Sequence, residues 1–191
     1  MEENIKAVVL AAGKGTRLRT EGVDLPKVLR QAAGRALLDY VLEALDFLDQ
    51  KDVVLVAGYQ RDKVLAAYPG YPSAVQEPQL GTGHAVQCAK EALAGFDGSI
   101  LICYGDMPLM RRETYLSLIE THRREGNDCT LLSAVSDEEL PYGRIVRNES
   151  GAFARIVEDR DCTPEEKAIR ELNVGVYVFE AKALWDALEQ L

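Results

Sequence analysis

Apolar positions alternate along this chain between two textures. Ile5 to Ala11 is apolar except for Lys6, which predicts a strand covered on both faces, as in a parallel sheet. The same texture returns at Asp52 to Ala57 and, most strongly, at Ser99 to Tyr104. Between these runs apolar residues recur at helical spacing. Leu38, Val41, Leu42, Leu45 and Leu48 predict one amphipathic helix, with Gly34 before its start, and Val86, Ala89 and Leu93 mark the face of another. A short helix around Arg61 to Ala67 ends at Tyr68-Pro69-Gly70, and residues 73–76 form a brief strand. Tyr115, Leu118 and Ile119 belong to a further helix, followed by a strand near Cys129 to Val135.

The texture changes from Tyr142. Arg144 to Arg147 and Phe153 to Val157 flank Asn148-Glu149-Ser150-Gly151, good turn chemistry for a β-hairpin. Thr163-Pro164-Glu165-Glu166 reads as a capped helix start, with Thr163 as N-cap and Glu166 completing a capping box. Asn173 to Phe179 is a last alternating strand and Ala181 to Leu191 a final helix. Strand alternating with helix through the first 135 residues predicts a three-layer, Rossmann-like α/β domain with a mostly parallel mixed sheet and the hairpin as an insertion. Ligands of such folds bind outside the carboxyl ends of the strands.

The first strand runs into Leu10-Ala11-Ala12-Gly13-Lys14-Gly15-Thr16-Arg17, with Pro26-Lys27-Val28-Leu29 shortly after. No Walker A pattern occurs, and Arg17-Leu18 stands where the third glycine of a dinucleotide fingerprint belongs. A structural turn and an anion-cradling nest of backbone N–H groups are both open readings of Gly13-x-Gly15. Charge shifts the balance. Between residues 10 and 35 six cations (Lys14, Arg17, Arg19, Lys27, Arg30, Arg35) face two acids, in a chain of formal net charge −9. A local excess of cations beside a buried strand end suggests a small, highly charged anion, with a nucleoside triphosphate as leading candidate.

The remaining composition narrows the classes. With 191 residues and 47% hydrophobic content, one sizeable core in one domain is expected. The acidic balance argues against polymeric nucleic acid and anionic membrane as partners. Without a long apolar run or a signal pattern, a cytoplasmic protein is expected. The four cysteines are widely spaced, which indicates neither a disulfide framework nor a zinc site, and three of them, in apolar or helical runs, read as small core residues. Asp106 follows Gly105 at the end of the most apolar strand and reads either as a turn aspartate or as a metal ligand. Thr82 reads as a helix N-cap, and His84 as a packing residue at the helix start.

LAAGKGTR, PKVL, QEPQLGTGHA, YGDMPL, PYGRIV, IVED with DCTPEEK, and ELNVGVY occur here in the order found in the N-terminal uridylyltransferase (pyrophosphorylase) domain of the GlmU family, which this chain resembles over roughly residues 5 to 180. LAAGKGTR is shared across sugar-nucleotide transferases, whereas QLGTGHA with YGRIV and the late N-x-G is more specific. The resemblance implies a magnesium-dependent enzyme making UDP-N-acetylglucosamine, a peptidoglycan precursor, and pyrophosphate from UTP and N-acetylglucosamine 1-phosphate. It assigns Arg17 and Lys27 to catalysis, Arg17 on the β- and γ-phosphates and Lys27 between the phosphates of the two substrates. Leu10, Ala11, Ala12, Gly13, Gly15, Thr16, Gln76, Gly81, Thr82, Tyr104 and Gly105 go to the nucleotide, Asp106 to magnesium, and Gly143, Glu158 and Asn173 to the sugar. Three extra residues stand around Glu21-Gly22-Val23. Family members continue beyond the equivalent of Leu191, with an asparagine that completes the metal site, and often add a trimer-forming β-helix acetyltransferase domain, so residues 1–191 read as a nucleotidyltransferase domain without its C-terminal part and the oligomer stays open. Two other readings are a related sugar 1-phosphate nucleotidyltransferase using another sugar or base, and a nucleotide-binding regulatory domain without turnover.

Overall fold

The computed structural model describes residues 4–15 and 24–190. Along the chain lie β1 (Ile5–Ala11), β2 (Gln31–Ala32), β3 (Arg35–Ala36), α1 (Leu37–Ala44), β4 (Val53–Ala57), α2 (Arg61–Ala67), β5 (Ser73–Val75), α3 (Thr82–Cys88), β6 (Ser99–Tyr104) and α4 (Arg112–Glu125). Then come β7 (Cys129–Val135), β8 (Gly143–Arg147), β9 (Phe153–Val157), α5 (Pro164–Lys167), β10 (Glu171–Glu180) and α6 (Ala181–Leu188). These form two compact units, one holding the residues up to Thr130 and from Val178 onward, the other Leu131–Tyr177.

In the first unit β1 lies between β4 and β6, and β5 pairs with β4, every pairing parallel. Val8, Val9, Leu55, Ile100 and Leu101 are fully buried, as continuous apolar runs require in a sheet covered on both faces. The register matters for function. Ala11 pairs with Ala57, Leu10 with Tyr104 and Ala57 with Val75, so these strands end level. Gly13, Gly58, Gln76 and Asp106, far apart in sequence, therefore emerge along one edge.

Helix α1 is shorter than the apolar stripe predicts. It stops at Ala44, and Leu48 lies beyond it. The hairpin β2–β3 is absent from the expected elements, since two residues per strand show no periodicity. Its turn residues Ala33 (φ 50°) and Gly34 (φ 81°) both take left-handed backbone, the geometry of a tight hairpin turn. Gly34 thus shapes this turn rather than the helix start.

In the second unit β8 and β9 form the expected hairpin, with Ile145 paired to Ile156. Asn148 Oδ1 accepts from the Ser150 and Ala152 N–H groups at 3.1 and 3.0 Å, which closes the loop. The α5 capping box is present in both directions: Glu166 N–H donates to Thr163 Oγ1 at 3.2 Å and Thr163 N–H to Glu166 Oε2 at 2.9 Å. Within this unit Leu172 pairs with Arg144 and Asn173 with Gly143 in antiparallel register.

Candidate active site

A cavity of about 480 Å³ opens at the shared strand edge of the first unit. From β1 and its loop it is lined by Leu10, Ala12, Gly13 and Gly15; Gln76 and Gly81 approach from the loop before α3, Thr82 from the first turn of α3, and Tyr104 and Asp106 from the end of β6. Lys27 completes the set. Ala11 (1% exposed) is instead buried in the strand, and Gly105 serves as scaffold. A β-carbon on Gly105 would lie 3.1 Å from Leu38 Cδ1 and 3.2 Å from Val28 Cγ1, and its N–H donates to Leu10 O at 3.0 Å. Thr16 and Arg17 lie outside the described residues, as does the insertion at 21–23.

Lys27 opens a 3₁₀ turn, Lys27–Leu29, placed by Pro26 and by Val28, which is 3% exposed. Its ammonium group forms an ion pair with Asp106 Oδ2. Gly15 comes so close to the lysine stem that a β-carbon there would sit 2.7 Å from Lys27 Cβ, and its φ is +61°. Both the left-handed backbone and the close approach demand glycine at this position. Lys27 and Asp106 are only 33% and 19% exposed, so the pair stands in a partly desolvated place where a cation acts strongly on phosphate oxygens. The cation count overstated the local excess. Arg35 pairs with Glu43 at 2.7 Å and stacks over the Tyr40 ring, on the β2–β3 hairpin side of α1.

At the other side of the cavity Gln76 is 5% exposed. Its amide nitrogen donates to Gly81 O at 2.8 Å and lies 3.3 Å from His84 Nδ1. Gly81, at φ +115°, is itself the N-cap of α3, with Ala85 N–H donating to its carbonyl at 3.1 Å. Thr82 is the first helical residue and makes no capping hydrogen bond, which corrects the N-cap reading: the cap position falls on the glycine because the chain turns there through a backbone region that threonine disfavours. Gln79, Val28 and Ala85 also line the cavity and were not singled out from sequence. Gln79 ties the two sides together, its amide nitrogen donating to Ala12 O at 2.5 Å. The signal for it was its place inside QEPQLGTGHA.

Asp106 is the carboxylate at the cavity, and among the described residues no group of three or more His, Cys, Asp or Glu side chains is placed to hold a metal. One carboxylate fits a magnesium ion that arrives with a triphosphate, because that ion keeps several waters and takes further oxygens from phosphate. Asp106 is the residue that would hold it.

The sugar-side candidates lie in the second unit. Gly143 is buried, and a β-carbon there would meet Ile156 Cγ2 at 3.1 Å and Val157 O at 3.4 Å. Asn173 accepts from Gly175 N–H at 3.1 Å and donates to Tyr177 OH at 2.7 Å, which leaves one amide N–H uncommitted by these two bonds. Glu158 is exposed and precedes a 3₁₀ turn, Asp159–Asp161. Arg144, 3% exposed, braces this region: Nη1 donates to Leu140 O at 3.1 Å and to Tyr142 O, and Nη2 lies 3.3 Å from Asp159 Oδ1.

The profile of the MobA-like NTP transferase domain matches residues 7–191, and the chain belongs to that family. It is 45% identical over 192 residues to the bifunctional protein GlmU of Pelobacter propionicus, covering 99% of this chain and 41% of that protein. A second such protein, from Streptococcus suis, is 42% identical over 189 residues, covering 98% and 40%. The resemblance carried by the motifs is thus borne out along the whole chain, which spans about two fifths of the length of these curated relatives. Among solved structures, a Bacillus anthracis protein described as a glucose-1-phosphate thymidylyltransferase, crystallised with a sucrose, superposes with a TM-score of 0.72 at 17% identity, covering 98% of this chain and 78% of that one. That likeness bears out the α/β fold. No helix among the described residues is long and apolar enough to cross a membrane.

Proposed function

We propose that this chain transfers a uridylyl group from UTP to N-acetylglucosamine 1-phosphate, giving UDP-N-acetylglucosamine, a peptidoglycan precursor, and pyrophosphate. The observation that carries the reading is the Lys27–Asp106 ion pair, set beneath a glycine loop and across a cavity from a buried glutamine amide. A cation and a carboxylate suit a triphosphate with its metal, and a fixed amide suits a base edge. The likeness to GlmU proteins favours this substrate pair among those the same chemistry could serve.

In this reaction an oxygen of the sugar phosphate forms a bond to the α-phosphorus while the bond from that phosphorus to the bridging oxygen of pyrophosphate breaks. Pyrophosphate leaves with the electron pair. The attacking phosphate is already ionised, so no general base is required, and the protein's work is orientation and charge neutralisation. Lys27 neutralises the phosphates where the two substrates meet, and Arg17 holds the β- and γ-phosphates. Backbone N–H groups of the Gly13–Gly15 loop cradle the triphosphate. Magnesium, when bound at Asp106, neutralises phosphate oxygens and orients them. Gln76, Gly81 and Thr82 receive the uracil. Gly143 N–H, the Glu158 carboxylate and the Asn173 amide serve the acetamido and hydroxyl groups of the sugar. The substrates are cytoplasmic small molecules, and neither a nucleic acid polymer nor a membrane takes part.

A panel of nucleoside triphosphates against sugar 1-phosphates, read by pyrophosphate release, tests this. UTP with N-acetylglucosamine 1-phosphate should give the highest kcat/KM. A different best pair would replace the substrates and keep the chemistry, and no release with any pair would remove the transferase reading.

A further inference from the structure

The amide of Gln76 has a fixed sense. Its nitrogen sits 2.8 Å from Gly81 O, an atom that can only accept, so the NH₂ end must face that carbonyl. The second N–H is directed at His84 Nδ1, 3.3 Å away, and this contact is favourable only if Nδ1 carries a lone pair. The proton of a neutral His84 ring then belongs on Nε2, which faces Cys88 Sγ at 3.9 Å, a weak acceptor. The donors are then fixed at every contact: Gln76 donates one N–H to Gly81 O and the other to His84 Nδ1, and His84 Nε2–H faces the sulfur. With both amide hydrogens engaged, what Gln76 has left to present is its oxygen, an acceptor.

We infer that His84 is a positioning residue that sets the base specificity of this site by locking Gln76 with its carbonyl oxygen available to the nucleotide. An acceptor matches the imide N–H of uracil or thymine and opposes the bare ring nitrogen that cytosine carries at the same place. Removing the His84 acceptor frees the amide to rotate, so that it can offer either end. The inference rests on the reading above that Gln76 meets the base.

Two measurements on the whole chain test it. The first is the tautomer of His84 without nucleotide, by nitrogen-15 NMR of the ring: the Nε2–H form is expected, and the Nδ1–H form would overturn the inference. The second is calorimetric affinity for UTP and CTP in the parent, His84→Leu, His84→Asn and Gln76→Ala, with circular dichroism as a check on folding. The parent should prefer UTP. His84→Leu should narrow the ratio by about tenfold, the scale of one well-placed hydrogen bond. His84→Asn, whose amide oxygen can stand where Nδ1 stood, should restore most of it, which a purely structural role for the ring would not produce. If Gln76→Ala abolishes the preference and His84→Leu leaves it intact, the inference alone falls. If Gln76→Ala also leaves it intact, base reading by Gln76 falls and takes the inference with it, as would a parent that prefers CTP or binds neither nucleotide.

Discussion

The Lys27 ammonium pairs with the Asp106 carboxylate across the gap between a 3₁₀ turn and the end of β6, two places joined only by the tertiary fold. Each group holds the other in position. Lys27 is thus pre-set where, in the proposed reaction, phosphate charge concentrates, and Asp106 is held at the cavity. Such preorganisation is the main resource of a phosphoryl-transfer site that makes no covalent intermediate.

Removing the cation should therefore reduce rate more than fold. Lys27→Ala is expected to lower kcat by at least ~10²-fold, the usual scale for losing one preorganised charge stabiliser, with an unchanged circular dichroism spectrum. Steady-state kinetics with saturating UTP and sugar 1-phosphate would show it. Activity near the parental level would place phosphate neutralisation on other cations.

Gly15→Ala should disturb the same lysine from the other side. The added methyl meets Lys27 Cβ at 2.7 Å, an atom tied to the backbone, and the φ of +61° disfavours any side chain. A loss of about 1–2 kcal/mol in stability is expected from the left-handed backbone alone, together with a fall in kcat as Lys27 is displaced. Urea titration and initial rates on one preparation separate the two effects.

Arg144 holds the loop carbonyls of Leu140 and Tyr142 and reaches Asp159, so it braces the backbone just before Gly143 and next to Glu158. Arg144→Met leaves those acceptors without their partner. It should destabilise the second unit by about 1–3 kcal/mol, the cost of leaving acceptors without their buried partner. At a temperature where the variant remains folded, KM for the sugar 1-phosphate should rise about tenfold with little change in UTP affinity, the pattern of lost ground-state binding on one substrate. Equal changes for both substrates would contradict that placement.

Acid should act on the second unit through Glu171. Arg147 grips this carboxylate with two hydrogen bonds of 2.7 Å, Ser133 adds a third at 2.9 Å, and its pKa is held below the ordinary 4.5, chiefly by Arg147. A depressed carboxyl pKa contributes stability that is present above the unfolded value and is lost as pH falls through the folded value. Stability should therefore decline below about pH 4.5 in the parent, and that decline should be shallower in Glu171→Gln, which starts from a lower plateau. Urea midpoints between pH 3 and pH 6 provide the comparison. Parallel profiles would mean that Glu171 contributes no pH dependence.

Buried thiols should be silent. Cys103 is fully buried in β6 and burial pushes its pKa up to about 12, so it stays protonated at pH 8. Native protein treated with iodoacetamide at that pH should retain Cys103 unmodified while denatured protein loses it, as mass spectrometry of tryptic peptides would show.

The elements that local chemistry can specify were legible along the chain. The buried strands Ile5–Ala11 and Ser99–Tyr104 match the apolar runs, and the Thr163 capping box and the Asn148 turn follow from their own few residues. The candidate site residues were legible as motifs in the order a known family has them, whereas Gly13-x-Gly15 and Asp106 taken alone read equally as turn residues. The β2–β3 hairpin was not, since its two-residue strands carry no period and its turn uses Ala33 at positive φ.

What the sequence by itself determined is therefore the inventory: which strands are buried, where they end, and which residue types wait at those ends. Tertiary structure alone decided the partnerships. The parallel register that brings β1, β4, β5 and β6 out level places Asp106 against Lys27 and Gln79 against Ala12, while the loop before α3 turns Gln76 onto Gly81 and His84. It also sends Arg35 to Glu43, although a linear count assigns it to the same cationic cluster. Secondary structure depends on backbone preferences and periodicity within a few residues, which a sequence displays directly. An ion pair or the sense of an amide depends on distances of a few ångströms between segments remote in the chain, and those are set only when the sheet closes.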